Sequence, residues 1–232
     1  MKIAIDIDAV LRDAMTKIDH QLGKDFPEKQ TVLRAYKNDW NCITRAFNDN
    51  DQELIDWMYH LRAFHIFGQA PKVYPKVMEH LNALNSWAKR NDIEIWLWSH
   101  QIEKSIPATL FWLAKNGCEI ENYKFYTTSE DKMEDAYVYD IIVDDHPKIL
   151  EVASEIPEII TIAVPYNHNI DIIRKKNNIH LLQYPIIDED RYKVPLQLED
   201  VPYTFEENLI REGLLGIIDI IKRIHKGELN EE

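Results

Sequence analysis

Short apolar runs alternate along the chain with longer segments in which apolar residues recur every three or four positions. The apolar runs have the length of buried β-strands and cover residues 2–7, 93–98, 123–127, 139–143 and 159–164. Helical periodicity predicts helices over residues 71–90 and 103–115 and from residue 147 onward. Strands that alternate with helices are typical of a parallel sheet covered on both faces. The pattern therefore predicts an α/β fold with a doubly wound, mainly parallel sheet.

Single residues mark the ends of two of these helices. Pro75 lies near the start of the helix over residues 71–90, where the missing N–H of a proline is tolerated. Asn116 and Gly117 follow the helix over residues 103–115 and predict a left-handed C-terminal cap.

The segment at residues 15–70 is rich in aromatic residues and lacks the alternation of a strand. It is too long for a simple connection inside a compact fold, so it predicts an inserted, mostly helical subdomain. Near the C-terminus, Thr204 and Glu207 have the spacing of a helix capping box, and an apolar helix is predicted to run from there to about residue 226. The expected organisation is an α/β core (residues 1–14 and 71–185), a helical insertion (15–70) and a C-terminal extension (186–232).

Composition narrows the possible partners and the compartment. The chain has 232 residues with a formal net charge of −13, which disfavours binding to nucleic-acid polymers and to anionic membranes. Its six scattered glycines form neither a GxGxxG motif nor a P-loop. The two cysteines, Cys42 and Cys118, indicate neither a disulfide framework nor a zinc site. Without a signal peptide or a membrane-length apolar run, a cytoplasmic location is expected.

Polar residues with candidate chemistry stand at the ends of the predicted strands. In a doubly wound sheet the ligand site lies at the carboxyl ends of the strands, so these side chains are expected to converge. They are Asp6 and Asp8 after the first strand, Ser99 after the second, Lys132 ahead of the strand at 139–143, and Asp144 and Asp145 after it. Each one alone has an ordinary explanation as a turn residue, a solvated charge or a helix start. The order and spacing of the whole set favour a site.

This order of motifs resembles the haloacid dehalogenase superfamily, chiefly its phosphatases. The matching elements are Asp-x-Asp-x-Val after a first hydrophobic strand, a serine after a second, and a lysine upstream of a strand ending Asp-Asp. Within that superfamily the chain is most similar to the 5′(3′)-deoxyribonucleotidases. The resemblance covers residues 2 to about 167, and by position it makes the insertion at 15–70 the counterpart of the superfamily's cap. It implies a magnesium-dependent phosphomonoesterase acting on a (deoxy)nucleoside monophosphate.

Chemical roles can be matched to the residue types. A carboxylate can attack a phosphate dianion only when cations offset the repulsion. Asp6 is expected to be the nucleophile, and Asp8, on the same side of the chain, the general acid and base. The resemblance implies that Mg²⁺ is held by Asp6, the backbone carbonyl of Asp8 and a carboxylate of Asp144 or Asp145. Ser99 is expected to hydrogen-bond a phosphoryl oxygen, and Lys132 to neutralise its charge.

Two residues depart from the superfamily's usual pattern. Ala9 stands where glycine is general, and it fits only if its φ angle is not positive. Arg12 stands where these nucleotidases have a small or acidic residue. It is expected either to contact the phosphate or substrate, or to form a surface ion pair near Asp13. These departures leave the catalytic carboxylates in place but loosen the assignment of the substrate.

The substrate is expected to be selected by the insertion. Besides Arg12, the candidate substrate contacts are Trp40 and Arg45, with Tyr36 and Phe47 as further aromatics and His100 and His146 beside the strand ends. Aromatic residues at helical spacing can equally be the subdomain's own core. Three alternatives stay open: a sugar phosphate, another small phosphorylated metabolite, and a catalytically silent binding protein that uses its acidic surface and apolar C-terminal helix. A homodimer is possible in each case.

Overall fold

In a computed structural model, which describes residues 1–166, 168–182 and 213–226, the chain forms a six-stranded sheet in the order β3-β2-β1-β4-β5-β6. Every strand pairing in it is parallel. The strands are β1 (Lys2–Asp6), β2 (Glu94–His100), β3 (Asn122–Tyr126), β4 (Ile141–Asp144), β5 (Ile160–Ala163) and β6 (Ile179–Leu181). The predicted α/β class with a parallel sheet is confirmed, and β6 is a strand that the sequence pattern did not predict.

Helices connect the strands and cover the sheet. Those between β1 and β2 are α1 (Ala14–Asp25), α2 (Pro27–Ala35), α3 (Cys42–Ala46), α4 (Asp51–Ile55), α5 (Ala63–Ile66) and α6 (Val77–Lys89). Those that follow are α7 (Ser105–Lys115), α8 (Ser129–Glu134), α9 (Pro147–Ser154), α10 (Ile170–Lys175) and α11 (Gly216–His225). None of the helices in the described part of the chain is long and apolar enough to cross a membrane.

The two faces of the sheet bury different apolar clusters because side chains alternate along each strand. Ile3 and Ile5 of β1 lie in the cluster that includes Leu81 and Leu84 of α6. Ala4, between them in sequence, lies in the opposite cluster with Ile149 of α9. Helices therefore cover both faces, as the near-continuous apolar character of the strands requires.

The register of the central strands brings their carboxyl ends level. Asp6, the last residue of β1, is opposite Trp98 of β2. Ile5 is opposite Val143 of β4, which places Asp144 one step further along at the same edge. The acidic residues at the ends of β1 and β4 are therefore neighbours although they are far apart in the sequence.

Several predicted boundaries shift in the structure. The helix expected over residues 71–90 is α6, which begins at Val77, two residues after Pro75, because proline disfavours helical backbone in the residue before it. The strand expected over residues 139–143 begins at Ile141, because Asp135–Val138 forms a 3₁₀ turn ahead of it. Ser99 lies inside β2 and not after it. The left-handed cap is confirmed by a φ of 74° at Gly117.

The chain between β1 and α6 is helical, and it includes one π-helical turn at Asp56–Leu61. It has its own buried apolar cluster, in which Leu22, Leu33, Phe47 and Trp57 are less than 5% exposed. The ring of Phe47 packs against Trp57, with ring centroids 5.4 Å apart. Phe47 is therefore a core residue of the insertion, which corrects its expected place as a substrate contact.

The C-terminal helix belongs to the core of this same chain. Ile217, Ile218 and Ile221 of α11 are buried against the cluster that contains α6 and β1. The backbone N–H of Leu214 donates to the hydroxyl of Tyr74 at 3.1 Å and joins the segment to the residues ahead of α6. The apolar face of α11 is thus covered within the chain. The capping box expected at Thr204 and Glu207 lies outside the described residues.

Candidate functional site

Three buried carboxylates gather at the carboxyl edge of the sheet. Asp6 ends β1, Asp144 ends β4, and Asp145 follows it; their exposures are 5%, 0% and 4%. One oxygen atom from each residue lies within 4.8 Å of the others. Strand register produces this arrangement, since β1 and β4 are adjacent parallel strands. Three carboxylates held this closely out of water repel one another strongly.

Lys132 sits inside this cluster and partly offsets the repulsion. Its Nζ atom lies 2.6 Å from Oδ1 of Asp6 and 2.8 Å from Oδ2 of Asp144. The lysine is 4% exposed, and its ammonium group lies 4.5 Å from the centroid of the Trp98 ring. Although burial by itself lowers the pKa of Lys132, the charges of Asp144 and Asp6 raise it above its ordinary value. The side chain therefore stays a cation.

The cluster still carries surplus negative charge. Burial raises the pKa of Asp6 well above its ordinary value, Lys132 opposes that shift, and Asp144 and Asp145 add to it. One ammonium group faces three carboxyl groups, so a divalent cation would bring the charges close to balance. Carboxylate oxygens are the donors that Mg²⁺ prefers. The residues at this edge therefore fit a bound magnesium ion in both charge and donor type.

The two residues after β4 are also held by the protein. Oδ1 of Asp144 accepts the backbone N–H of His146 at 2.8 Å. Oδ2 of Asp145 accepts from Nε2 of His168 at 3.0 Å. Hydrogen bonds of this kind fix the orientation of carboxylates that serve as metal ligands. His168 was not among the predicted site residues, although it follows β5 and the rule of strand ends also applies there.

Asp8 lies at the same edge but faces a different set of partners. Its Oδ1 and Oδ2 atoms accept from Nε and Nη2 of Arg12, both at 2.9 Å. Its Oδ2 also accepts from Nε2 of Gln101 at 2.7 Å and from Oγ of Ser99 at 3.3 Å. The side chain is 29% exposed and lines the cavity described below. Gln101, two residues after Ser99, is a second residue that the sequence analysis missed.

Arg12 does not take either of its two expected places. The residue is fully buried and does not line the cavity, so it is neither a substrate contact nor a partner in a surface ion pair. Its Nη1 atom donates to the carbonyl of Phe67 at 2.8 Å and to the hydroxyl of Thr109 at 2.9 Å. The physical reason is that Asp8 and these two acceptors satisfy the guanidinium within the interior.

The expectation that Ala9 avoids a positive φ angle is also wrong. Its φ is +66°, a left-handed conformation that costs an alanine about 1 kcal/mol relative to glycine. Two hydrogen bonds hold it there: its N–H donates to the carbonyl of Arg12 at 2.8 Å, and its carbonyl accepts from the hydroxyl of Tyr166 at 2.5 Å. These contacts offset the strain, and the loop after β1 keeps its tight turn without glycine.

A cavity of about 320 Å³ opens over the acidic cluster. Its floor at the sheet edge is formed by Asp6, Asp8, Ala9, Ser99, His100, Gln101, Ser129, Lys132, Asp144, Asp145, His146, Ile149 and His168. Its other wall comes from the insertion: Ala14, Met15, Ile18, Lys37, Asp39, Trp40, Cys42, Ile43, Met58, Tyr59 and Phe67. The six residues expected to form the site therefore line one cavity with a charged floor and a mainly apolar wall.

Trp40 connects the wall of the cavity to its floor. Its ring centroid lies 4.2 Å from that of His146 and 5.0 Å from that of His168. His168 also stacks on Tyr166, with 24° between the ring planes. Trp40 is 42% exposed, unlike the buried aromatic residues of the insertion's core. It is therefore a wall residue at the rim, in the place expected for a substrate contact.

The other expected contacts divide into two groups. His100 lines the cavity, and its Nε2 atom donates to the carbonyl of Thr127 at 2.9 Å. Arg45 does not line it, because its guanidinium pairs with Asp39 at 2.7 Å and lies over the ring of Tyr36. Of Arg45, Asp39 and Tyr36, only Asp39 lines the cavity. The expectation that Arg45 reaches the substrate site is corrected accordingly.

Tyr59 lines the cavity from the π-helical turn, and the sequence analysis did not single it out. Burial raises the pKa of its hydroxyl, and the charge of Asp8 adds to the shift while Arg12 opposes it. The ring stacks on Phe67 at 5.4 Å between centroids. Turns of π-helix occur frequently at functional sites. The sequence gives no signal for such a turn, so this residue could not have been identified from its pattern.

Solved structures of other proteins resemble this chain. No family model matches the chain, and no curated protein matches it. A crystal structure of a protein from Burkholderia xenovorans LB400, described as haloacid dehalogenase-like, is similar over 78% of this chain and 93% of its own, with a TM-score of 0.45 and 14% identity. At that level the assignment of function depends on the geometry of the site itself.

Proposed function

We propose that the protein is a magnesium-dependent phosphomonoesterase of the haloacid dehalogenase type. The observation that carries the proposal is the contact of Lys132 with both Asp6 and Asp144, next to Asp145, at the carboxyl edge of a parallel sheet. A buried group of three carboxylates and one ammonium contributes less to the stability of a fold than apolar residues of similar volume would. The stability that this cluster costs is explained if its residues bind a phosphate ester and transfer its phosphoryl group.

The first half of the reaction transfers the phosphoryl group to Asp6. A carboxylate oxygen of Asp6 bonds to phosphorus, the phosphorus–oxygen bond of the ester breaks, and an aspartyl-phosphate forms. Asp8 gives a proton to the departing alcohol oxygen. Lys132 offsets the charge on the phosphoryl oxygens and opposes the rise in the pKa of Asp6 that burial causes, while Ser99 donates a hydrogen bond to one of those oxygens.

The second half regenerates the enzyme. Asp8, now a carboxylate, takes a proton from a water molecule, whose oxygen bonds to phosphorus as the bond to Asp6 breaks. Inorganic phosphate leaves, and Asp6 returns as a carboxylate. Magnesium, held by Asp6, the backbone carbonyl of Asp8 and a carboxylate of Asp144 or Asp145, would supply further positive charge to the phosphoryl oxygens.

The substrate that we propose is a (deoxy)nucleoside monophosphate. The insertion would act as the cap over the phosphate site, with Trp40 at the rim able to stack on a planar group. A mainly apolar wall opposite a charged floor suits a ligand whose phosphate end and uncharged end differ in polarity. The net charge of −13 supports a small substrate over a nucleic-acid polymer.

A panel of phosphate esters tests this function. The purified protein is incubated with Mg²⁺ and with deoxynucleoside, ribonucleoside and sugar monophosphates, and released phosphate is measured. Turnover highest on a nucleoside monophosphate and absent in Asp6→Asn supports the proposal. Preference for a sugar phosphate would replace the substrate but keep the mechanism. Absence of turnover across the whole panel would favour the silent binding protein.

A further inference from the structure

We propose that Arg12 is a positioning residue that holds the carboxylate of Asp8 in place for proton transfer and ties it to the insertion; this rests on the function proposed above. Two N–H groups of the guanidinium meet the two oxygens of Asp8, both at 2.9 Å. This bidentate pairing fixes the plane of the carboxylate as well as its distance, which a single hydrogen bond cannot do.

The backbone around Arg12 reinforces the pairing. The N–H of Arg12 donates to the carbonyl of Ile7 at 2.9 Å, and its carbonyl accepts from the N–H of Ala9 at 2.8 Å. Arg12 therefore closes the loop around Asp8 with its backbone and holds the Asp8 carboxylate with its side chain. Gln101 adds a third donor at 2.7 Å from Asp8. Asp8 has little rotational freedom in this arrangement.

The remaining contacts of the guanidinium lead to the insertion and to α7. Nη1 donates to the carbonyl of Phe67, which follows α5, and to the hydroxyl of Thr109 on α7. The rings of Phe67 and Trp112 lie 5.1 and 5.5 Å from the guanidinium carbon. Phe67 also lines the cavity. The side chain of Arg12 thus connects Phe67 in the cavity wall with Asp8, the general acid and base of the proposed reaction.

Stability alone gives a weak reason for this arrangement. Arg12 is fully buried, and replacing a buried ion pair by apolar residues is often neutral or stabilising because desolvation of both charges is costly. A preorganised proton donor gains directly from fixed geometry, since misplacement by about 1 Å can cost on the order of 10²-fold in rate. The contacts of Arg12 are the kind that provides such geometry.

The test compares two leaving groups, because a role in proton transfer and a role in folding then give different results. p-Nitrophenolate departs without needing a proton, whereas an alkyl alcohol needs one. The values of kcat and KM are measured separately for p-nitrophenyl phosphate and for the best alkyl phosphate in the wild type, Asp8→Asn, Arg12→Lys and Thr109→Val. Arg12→Lys keeps the positive charge and loses the bidentate pairing with Asp8. Thr109→Val removes one acceptor of the guanidinium and the contact of Thr109 with Gln101 at 3.4 Å, and it leaves both bonds from Arg12 to Asp8.

We expect Arg12→Lys to lower kcat for the alkyl ester at least about 10-fold more than for p-nitrophenyl phosphate, part of the 10²–10⁴-fold that a general acid contributes. KM should change less than about 3-fold, because Arg12 does not line the cavity. Thr109→Val should show the same dependence on the leaving group to a smaller degree. Asp8→Asn should show it most strongly.

Other outcomes overturn the inference in distinguishable ways. Equal losses on both esters in Arg12→Lys, with circular dichroism and melting temperature preserved, would leave Arg12 a structural residue only. If Arg12→Lys does not fold, an unchanged ratio between the two esters in Thr109→Val has the same meaning. A wild type without activity, or an Asp8→Asn variant without dependence on the leaving group, would instead remove the proposed function and this inference with it.

Discussion

The Nζ atom of Lys132 lies 2.6 Å from Oδ1 of Asp6, although 126 positions separate the two residues in the sequence. The contact forms because α8 follows β3 and leads back to β4, the neighbour of β1 in the sheet. The same ammonium group reaches Asp144 at the end of β4. One lysine therefore connects the ends of two strands, and the first two predictions concern this connection.

Replacing Asp6 by asparagine should abolish turnover and preserve the fold. The amide cannot form the aspartyl-phosphate, so kcat should fall by at least about 10³-fold. Phosphate release from p-nitrophenyl phosphate and from the best natural ester measures the loss, and circular dichroism checks the fold. Turnover equal to that of the wild type would contradict the proposed mechanism.

Replacing Lys132 by methionine should destabilise the protein as well as inactivate it. Removal of the ammonium leaves Asp6 and Asp144 buried without a counter-ion, a change that costs about 3–5 kcal/mol in comparable sites. The free energy of unfolding is measured in urea at pH 7. Lys124→Met is the matched control, because Lys124 is half-exposed in its ion pair with Asp135 and should change stability by less than about 1 kcal/mol. Equal effects of the two variants would refute this explanation.

Magnesium should stabilise the folded protein by binding at the acidic cluster of Asp6, Asp144 and Asp145. Binding to the native state alone raises the melting temperature as the metal concentration increases. The wild type should show this shift and lose both the shift and its activity in excess EDTA. Asp145→Asn should reduce the shift, whereas Asp131→Asn, an exposed acid on α8, should leave it unchanged. A shift that is the same in all three proteins would place the metal elsewhere.

The stability of the insertion should depend on pH through Asp25. Burial raises the pKa of this carboxyl, but hydrogen bonds from Arg62, Trp57 and Gln21 outweigh it and lower the pKa from 3.8 to about 2. A lowered pKa in the native state stabilises the fold above about pH 4, and this contribution is lost as the pH falls toward 2. Allowing for screening by water, Asp25→Asn should cost about 1–2 kcal/mol at pH 6.

The difference between the wild type and Asp25→Asn is the quantity to follow, because other carboxylates titrate in the same range. It is obtained from urea unfolding at pH 6, 4, 3 and 2. The difference should shrink toward zero at the lowest pH. A difference that stays constant over the whole range would show that the charge of Asp25 does not contribute to stability.

Replacing Trp40 by alanine should weaken substrate binding more than it slows the chemistry. The ring forms part of the cavity wall and packs against His146 and His168. KM should rise about 5- to 10-fold, as expected when about 1–1.5 kcal/mol of stacking is lost, while kcat changes little. Tyr137→Ala, which removes an aromatic side chain that is 71% exposed and outside the cavity, is the control. A Trp40→Ala variant with unchanged KM would exclude the ring from substrate binding.

Local pattern was sufficient to predict the layers of the fold and the members of the acidic cluster. Buried strands are apolar over their whole length, and the residues that end them are polar because they leave the core, so Asp6, Asp144 and Asp145 could be found without coordinates. Lys132 was found from its place before β4 and from the family resemblance. Neither signal predicts that the ammonium group of Lys132 lies within hydrogen-bond distance of two carboxylates.

Residues whose role depends on long-range contacts were misplaced or missed. Arg12 and Arg45 have the charge that suits a phosphate, but nearby carboxylates pair with both of them. Ala9 adopts the conformation of a glycine because Tyr166, 157 positions away, holds its carbonyl. Tyr59 reaches the cavity from a π-helical turn that carries no sequence signal, whereas His168 follows β5 and could have been found from the strand-end rule.

The sequence by itself determined the α/β class, the first five strands of the sheet with the helices α6, α7 and α9, and the surplus of acid at the strand ends, because these depend on periodicity and on composition over a few residues. The tertiary structure decided which charges meet. Ion pairing, burial and backbone strain depend on distances of a few ångströms between distant segments, and the packing of the whole chain sets those distances. The pairing of Asp8 with the buried guanidinium of Arg12 is the clearest example.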